Sequence, residues 1–195
     1  MVLSGVFLGW SLGANDAANI FGTGVATGTV KYRTAVLLTA AFALLGAILE
    51  GPKCMGTLNE LSPLLPTDAF CCTLAAAVTM TALTALAIPA STSQAIIGAV
   101  IGIGIASHAT DFSKLYKIVV CWVFTPVSGM IIAYLLHRSL GYLLDRVVTN
   151  LQKRNSLYFA GILLAGCYGA YSLGSNNVAN VTGVYVGSGF LSADA

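Results

Sequence analysis

Charge is what this sequence has least of. Asp, Glu, Lys and Arg make up 8% of its 195 residues, against 57% hydrophobic residues and a mean hydropathy of +0.85. A water-soluble domain carries about a quarter charged residues. A surface facing water on all sides is therefore excluded, and lipid is the natural solvent. A net charge of +2, with no run of like charges, excludes a nucleic-acid surface or a charged binding tail. Histidine is scarce too: His108 and His137 are the two. Neither has a partner at catalytic spacing, and no HExxH, GxSxG or Walker-type phosphate loop occurs, so an enzyme is not expected. The five cysteines, Cys54, Cys71, Cys72, Cys121 and Cys167, form no CxxC pair. They read as small apolar side chains in membrane core rather than redox or metal sites. The opening MVLSGVFLGWSLG has no basic n-region and no clear cleavage site, so it reads as a span and not as a signal peptide.

Long apolar runs are what the chain has instead. They cover residues 1–30, 34–50, 69–88, 89–107, 115–137 and 157–190, and a spanning helix needs about 20 such residues. The first and last runs are too long for one span and are interrupted by polar motifs. Run 89–107 opens at a proline and carries polar residues, so it reads either as a full span or as part of a re-entrant hairpin. Run 139–149 is amphipathic and reads as interfacial. Lys31 and Arg33, and then Arg138, Arg146, Lys153 and Arg154, mark two cytoplasmic loops. Lys53, Glu60 and Asp68 belong to an outer loop. The first run then ends inside and the last starts inside, so the two cross the membrane in opposite directions.

Those two runs also resemble each other. Residues 10–28 (WSLGANDAANIFGTGVATG) and 171–189 (YSLGSNNVANVTGVYVGSG) are identical at nine of nineteen positions. The shared residues include Gly13/Gly174, Asn15/Asn176, Asn19/Asn180, Gly22/Gly183 and Gly28/Gly189. A repeated motif on oppositely directed spans is the trace of an inverted-topology repeat, which in secondary transporters puts broken helices and a binding site near the midplane. The expected fold is all-α: a polytopic helical membrane protein with inverted-topology repeats, broken helices and, at 89–107, the hairpin alternative.

The motifs carry distinct chemistry. If residues 15–19 are helical, Asn15, Asp16 and Asn19 fall on adjacent parts of one face. A carboxylate with amide oxygens suits a hard cation such as sodium. An unpaired Asp in a membrane helix costs at least ~2.5 kcal/mol, which a bound cation or proton would offset. In the second copy Asn176, Asn177 and Asn180 repeat the pattern, with Asn177 where Asp16 stands. A site built from both copies is therefore lopsided, with one carboxylate. The third cluster is PASTSQ, residues 89–94. Pro89 favours a helix start, and Ser91, Thr92, Ser93 and Gln94 would place hydroxyls, an amide and free N–H groups around it. That arrangement takes an oxyanion without Arg or Lys.

GANDAANIFGTG, GSNNVANVTG and PASTSQAIIGAVIG resemble, in order, the signatures of the inorganic phosphate transporter family. The resemblance implies a multi-pass plasma-membrane secondary transporter moving inorganic phosphate in symport with sodium or protons, without further cofactor. It implies ion-coordinating roles for Asn15, Asp16, Asn176 and Asn177, and phosphate-contacting hydroxyls at Ser91, Thr92 and Ser93. Gln94 replaces that family's usual histidine, and Asn177 its common Asp. The resemblance also implies a second hairpin beyond Ala195. Residues 1–155 are thus expected to form a first transmembrane repeat and 156–195 the start of a second, with a further segment or a homo-oligomer completing the site. A sulfate permease of the same fold, or a non-transporting scaffold or channel fragment, is the alternative.

Overall fold

The computed structural model describes residues 2–54, 65–107 and 112–192; Glu60 of the expected outer loop and His108 lie outside them. The described residues form helices α1 (Val2–Asn15), α2 (Ala18–Ala26), α3 (Tyr32–Cys54), α4 (Pro66–Ala85), α5 (Thr92–Ala106), α6 (Phe112–Val147) and α7 (Leu151–Gly187). No strand occurs among them. Helices satisfy their own backbone polar groups, which lipid cannot do for them. Four are long and apolar enough to cross a membrane: α3, α4, the Leu115–Leu144 stretch of α6, and α7. At 15 residues, α5 is about 22 Å long and falls short of a ~30 Å hydrocarbon core.

The chain divides into two compact units, Met1–Thr110 with Leu163–Ala195, and Asp111–Ile162. The first has an inside-out composition. Ala69, Cys72, Ala76 and Ala77 of α4 are buried, whereas Leu37, Leu44 and Ile48 of α3 are exposed. Small residues between helices and large ones outward are how helices associate when lipid is the solvent. A polar ladder joins α1 to α4: Ser4 to Thr73 (2.8 Å), Ser11 to Thr81 (2.9 Å) and Asn15 to Thr84 (2.9 Å). Its rising numbers on both sides make the two helices parallel. By contrast, α1 and α2 run antiparallel to α7. Ser4 meets Tyr185 at 2.7 Å, while Phe21 lies over Gly166 and Ile20 over Gly169. The repeated motifs take part in these contacts, Ile20 and Phe21 from the first copy and Tyr185 from the second. The opposite directions read from the basic residues are present in the packing.

The copies end alike and break differently. Gly28 and Gly189, equivalent in the repeat, both close their helices with positive φ, +71° and +73°, the left-handed conformation that favours glycine. Gly28 is thus a helix terminator, with nothing packed where its side chain would be. The first copy breaks: α1 ends at Asn15 and α2 starts at Ala18. The Asn19 N–H bonds the Asp16 carbonyl (3.2 Å) instead of the Asn15 carbonyl, which takes the Asn19 side-chain amide (3.4 Å). Residues 15–19 are therefore not one helix, and the single face expected for Asn15, Asp16 and Asn19 does not form. The second copy stays helical through Gly187.

In the second unit, α6 runs unbroken from 112 to 147. The run 139–149 is consequently the end of a long helix rather than a separate interfacial one. Arg146 stacks over the Tyr142 ring at 4.7 Å. The Asn150 side chain caps the next helix, accepting from the N–H groups of Gln152 (2.9 Å) and Lys153 (3.3 Å).

Candidate functional site

The site is built around the turn between α4 and α5. Here α4 ends with Ala87 at φ +56°, and the Ile88 N–H reaches back to the Leu83 carbonyl at 2.9 Å. That is a left-handed helix stop made without glycine. The chain then stays extended, because a residue before proline is pushed out of the helical region. Helix α5 starts at Thr92, not at Pro89. Ser91 is its cap, its Oγ accepting from the Gln94 N–H at 3.4 Å.

Asn15 fastens this turn to the end of α1. Its Nδ2 donates to Thr84 Oγ1 (2.9 Å) and to the Ile88 carbonyl (3.2 Å), and its Oδ1 accepts from the Ala90 N–H (3.0 Å). The amide spans the gap and holds the loop that leads into α5. Asp16, next in the chain, meets the following turn: the Thr92 hydroxyl donates to Asp16 Oδ2 at 2.8 Å. The other carboxylate oxygen, Oδ1, is buried without a hydrogen-bond partner. The ion pair between Lys53 and Glu50 (2.8 Å) is exposed and far along α3, so neither of its charges is spent on Asp16. A carboxylate at the N-terminus of α5 gains from the helix dipole, but one buried oxygen is still unsatisfied.

The second copy approaches the same helix end. Asn180 Nδ2 donates to Ser93 Oγ (2.8 Å) and to Asn177 Oδ1 (2.7 Å). Both asparagines are more than nine-tenths buried. Thr92 is fully buried, Ser93 half-buried, and Ser91 and Gln94 exposed. One short stretch, Thr92–Ser93, thus touches the first motif on one side and the second on the other. Asn19 and Asn176 are exposed and are not drawn into this contact set. The structure therefore joins Asn15, Asp16, Thr92, Ser93, Asn177 and Asn180 through α5, and leaves Asn19, Asn176 and Gln94 at its margin.

Residues that sequence reasoning passed over support the site from below. Ser4, Thr73 and Tyr185 form a buried triangle of hydroxyls, with Oγ to OH distances of 2.7 and 2.8 Å and Thr73 to Ser4 at 2.8 Å. Their signal was present as a stripe of small polar residues: Ser4, Ser11 and Asn15 on α1, and Thr73, Thr81 and Thr84 on α4, at spacings that keep one helix face.

Comparison with known proteins follows these residues. The model of the phosphate transporter family matches residues 12–160. The chain is 30% identical over 197 residues to the sulfate permease CysP of Bacillus subtilis, covering 97% of this chain and 54% of that protein. It is 30% identical over 151 residues to the Pyrococcus furiosus protein named "Putative phosphate permease PF1020", covering 71% of this chain and 37% of that one. The chain thus spans about half or less of the length of these relatives. Among solved structures it resembles the sodium-dependent phosphate transporter, with a TM-score of 0.75 at 20% identity over 96% of this chain and 66% of that one. That likeness is one of fold. The family match, which runs across both the Asp16 motif and the α5 turn, places the chain: it belongs to the phosphate transporter family.

Proposed function

We propose that this chain carries the first repeat, residues 1–155, and the start of an inverted second, 156–195, of a plasma-membrane symporter that moves inorganic phosphate with sodium or protons. The observation that carries this reading is the contact between Asp16 and Thr92, beside the contact between Ser93 and Asn180. A candidate cation ligand and candidate oxyanion donors meet at one helix end. The unpaired Asp16 Oδ1 takes the cation. The Ser91–Ser93 turn, with the N–H groups of α5, takes the oxyanion.

The geometry supplies a reason for coupling. Asp16 and an oxyanion are both negative and both drawn to the α5 N-terminus. Unit charges about 5 Å apart repel by about 3 kcal/mol at an effective dielectric of about 20, which is roughly a hundredfold in affinity. A cation or proton on Asp16 removes that repulsion, so each solute favours binding of the other, as linkage requires. Sulfate is the second reading. It is favoured by a relative matched over 97% of this chain, whose printed name is sulfate permease. The test is uptake of labelled phosphate into proteoliposomes under an inward sodium gradient, then a proton gradient, each with excess unlabelled sulfate. The chain would be assayed alone and joined to the further length found in its relatives. Accumulation that sulfate does not suppress supports phosphate. Sulfate uptake that phosphate does not suppress changes the solute, and solute flux without any gradient dependence refutes coupling.

A further inference from the structure

We infer that Asn177 and Asn180 are a neutral brace that positions Ser93 and keeps its hydroxyl proton available to the oxyanion, not a second cation site; the inference rests on the oxyanion reading of the α5 N-terminus given above.

A side-chain amide nitrogen has two protons. Those of Asn180 are both committed, one to Ser93 Oγ at 2.8 Å and one to Asn177 Oδ1 at 2.7 Å. The carbonyl oxygen that Asn177 would offer a cation already accepts one of these bonds. Both side chains are buried, at 6% and 8% exposure, and the pair carries no charge. By contrast, the oxygen left buried and unpartnered is Asp16 Oδ1 in the other copy.

The two copies differ because one helix breaks and the other does not. On continuous α7, Asn177 and Asn180 are three residues apart and therefore neighbours on one face. Of their equivalents, Asp16 lies in the interruption between α1 and α2, and Asn19 in the first turn of α2. The Asn19 amide turns to the Asn15 carbonyl at 3.4 Å instead, and Asp16 is left without that amide. Position for position, the first copy frees a carboxylate oxygen and the second uses its amides internally.

The consequence falls on Ser93. A hydroxyl that accepts a bond from an amide still has its own proton to donate. Thr92 has committed its proton to Asp16 Oδ2, and Ser91 acts as the helix cap. Ser91 and Ser93 are both bonded as acceptors only, so both keep a proton to donate, and Ser93 is the one whose oxygen the second copy holds. Asn180 fixes the oxygen, and Asn177 fixes Asn180. Both are positioning residues, one and two steps removed from the solute.

The test is equilibrium binding of radiolabelled inorganic phosphate and, separately, radiolabelled sodium to the purified full chain in detergent. The variants are Asn177→Leu, Ser93→Ala and the pair together. The brace predicts that each single variant weakens phosphate binding about tenfold, the scale of one hydrogen bond to an ion. The double variant should be no weaker than Ser93→Ala, because the two act through one group. Sodium affinity and stoichiometry should not move. Should Asn177→Leu fail to fold, Asn177→Ala removes the same acceptor without bulk. A loss of bound sodium in either Asn177 variant overturns the brace and makes the second copy a cation site. Phosphate binding as tight as wild type in the Asn177 variants overturns it too, while leaving the site reading intact. A wild-type chain that binds no phosphate, either alone or joined to the further length found in its relatives, sinks the site reading, and the brace with it.

Discussion

Gly174→Ala and Gly13→Ala change equivalent positions of the repeat and should have opposite effects. Gly174 lies against α3: a Cβ added there would fall on the backbone of Ala43, its carbonyl oxygen and carbonyl carbon above all. The clash is with main chain inside a helix, which cannot rotate away as a side chain would. The reciprocal contact is as close, since a Cβ on Gly46 of α3 would fall on the Tyr171 carbonyl. Separating two helices locked in this way costs at least the ~1–3 kcal/mol typical of overpacking. In a chain of this length each kcal/mol moves the unfolding midpoint by about 2–4 °C, so Gly174→Ala should lower it by about 5–10 °C. Gly13 has nothing within 4 Å of its Cβ position and sits inside α1. Alanine there gains up to about 1 kcal/mol of helix propensity, so the midpoint should hold or rise slightly. The assay is the temperature at which half the detergent-solubilised protein leaves its monodisperse gel-filtration peak. Equal destabilisation by both substitutions, or none by Gly174→Ala, would refute the close crossing of α3 and α7.

Other substitutions probe the remaining links. Asp16→Asn should abolish cation-dependent uptake while making oxyanion binding insensitive to sodium, measured by phosphate binding with sodium or choline as the salt; retained sodium dependence would remove Asp16 from the ion site. Thr92→Val keeps the shape but removes the 2.8 Å bond to Asp16; a bond to a carboxylate contributes about 1.5–3 kcal/mol, and the thermal midpoint should fall accordingly. Tyr185→Phe strips the shared hydroxyl from Ser4 and Thr73 and should destabilise by about 1–3 kcal/mol, read in the same melting assay. Ala87→Gly relieves a left-handed residue worth about 1–2 kcal/mol and should raise the midpoint, provided Asn15 still holds the turn.

Much of the fold was legible because membrane physics leaves few options. Runs of apolar residues became helices, and six basic residues gave the opposite directions of the first and last segments. The shared glycines at 28 and 189 marked two helix ends, since each needs the same positive φ. The helix break was legible as a cluster of polar residues but not as a position. Nearly the same residues fill 174–180, and there the helix continues. What decides it is tertiary. Asn15 is drawn onto the Ile88–Ala90 loop, and the main chain opens behind it, whereas Asn177 and Asn180 bond each other and leave the α7 ladder whole. The α5 start was misplaced for a local reason: Pro89 enforces extended chain before it, and Ser91 offers the better cap. The run 139–149 looked separate because it is amphipathic where the run before it is apolar, yet it contains no proline, and Gly141 alone does not stop a helix.

The candidate site was legible in residue type but not in division of labour. The repeat suggested ion ligands from both copies, lopsided only in that the first has a carboxylate where the second has Asn177. Symmetry of sequence is broken once α5 inserts its N-terminus between the copies, because one helix end offers different atoms to each side. Thr92 faces the first copy and Ser93 the second, and adjacent residues on a helix cannot present the same face to two neighbours. The first copy therefore meets a donor with its carboxylate, and the second meets an acceptor with its amide. On the proposed reading this is what ties the two solutes together. The group that senses the cation and the group that senses the oxyanion are consecutive residues of one rigid turn. A change in charge at Asp16 therefore acts on an oxyanion at Ser93 by direct repulsion, which holds only while the turn keeps the two close. Separating Thr92 from Ser93 by an inserted alanine should accordingly uncouple the two binding events even if each solute still binds. Measured as the ratio of phosphate affinities with and without sodium, the coupling should fall toward one. A ratio unchanged by the insertion would mean that coupling runs by another route.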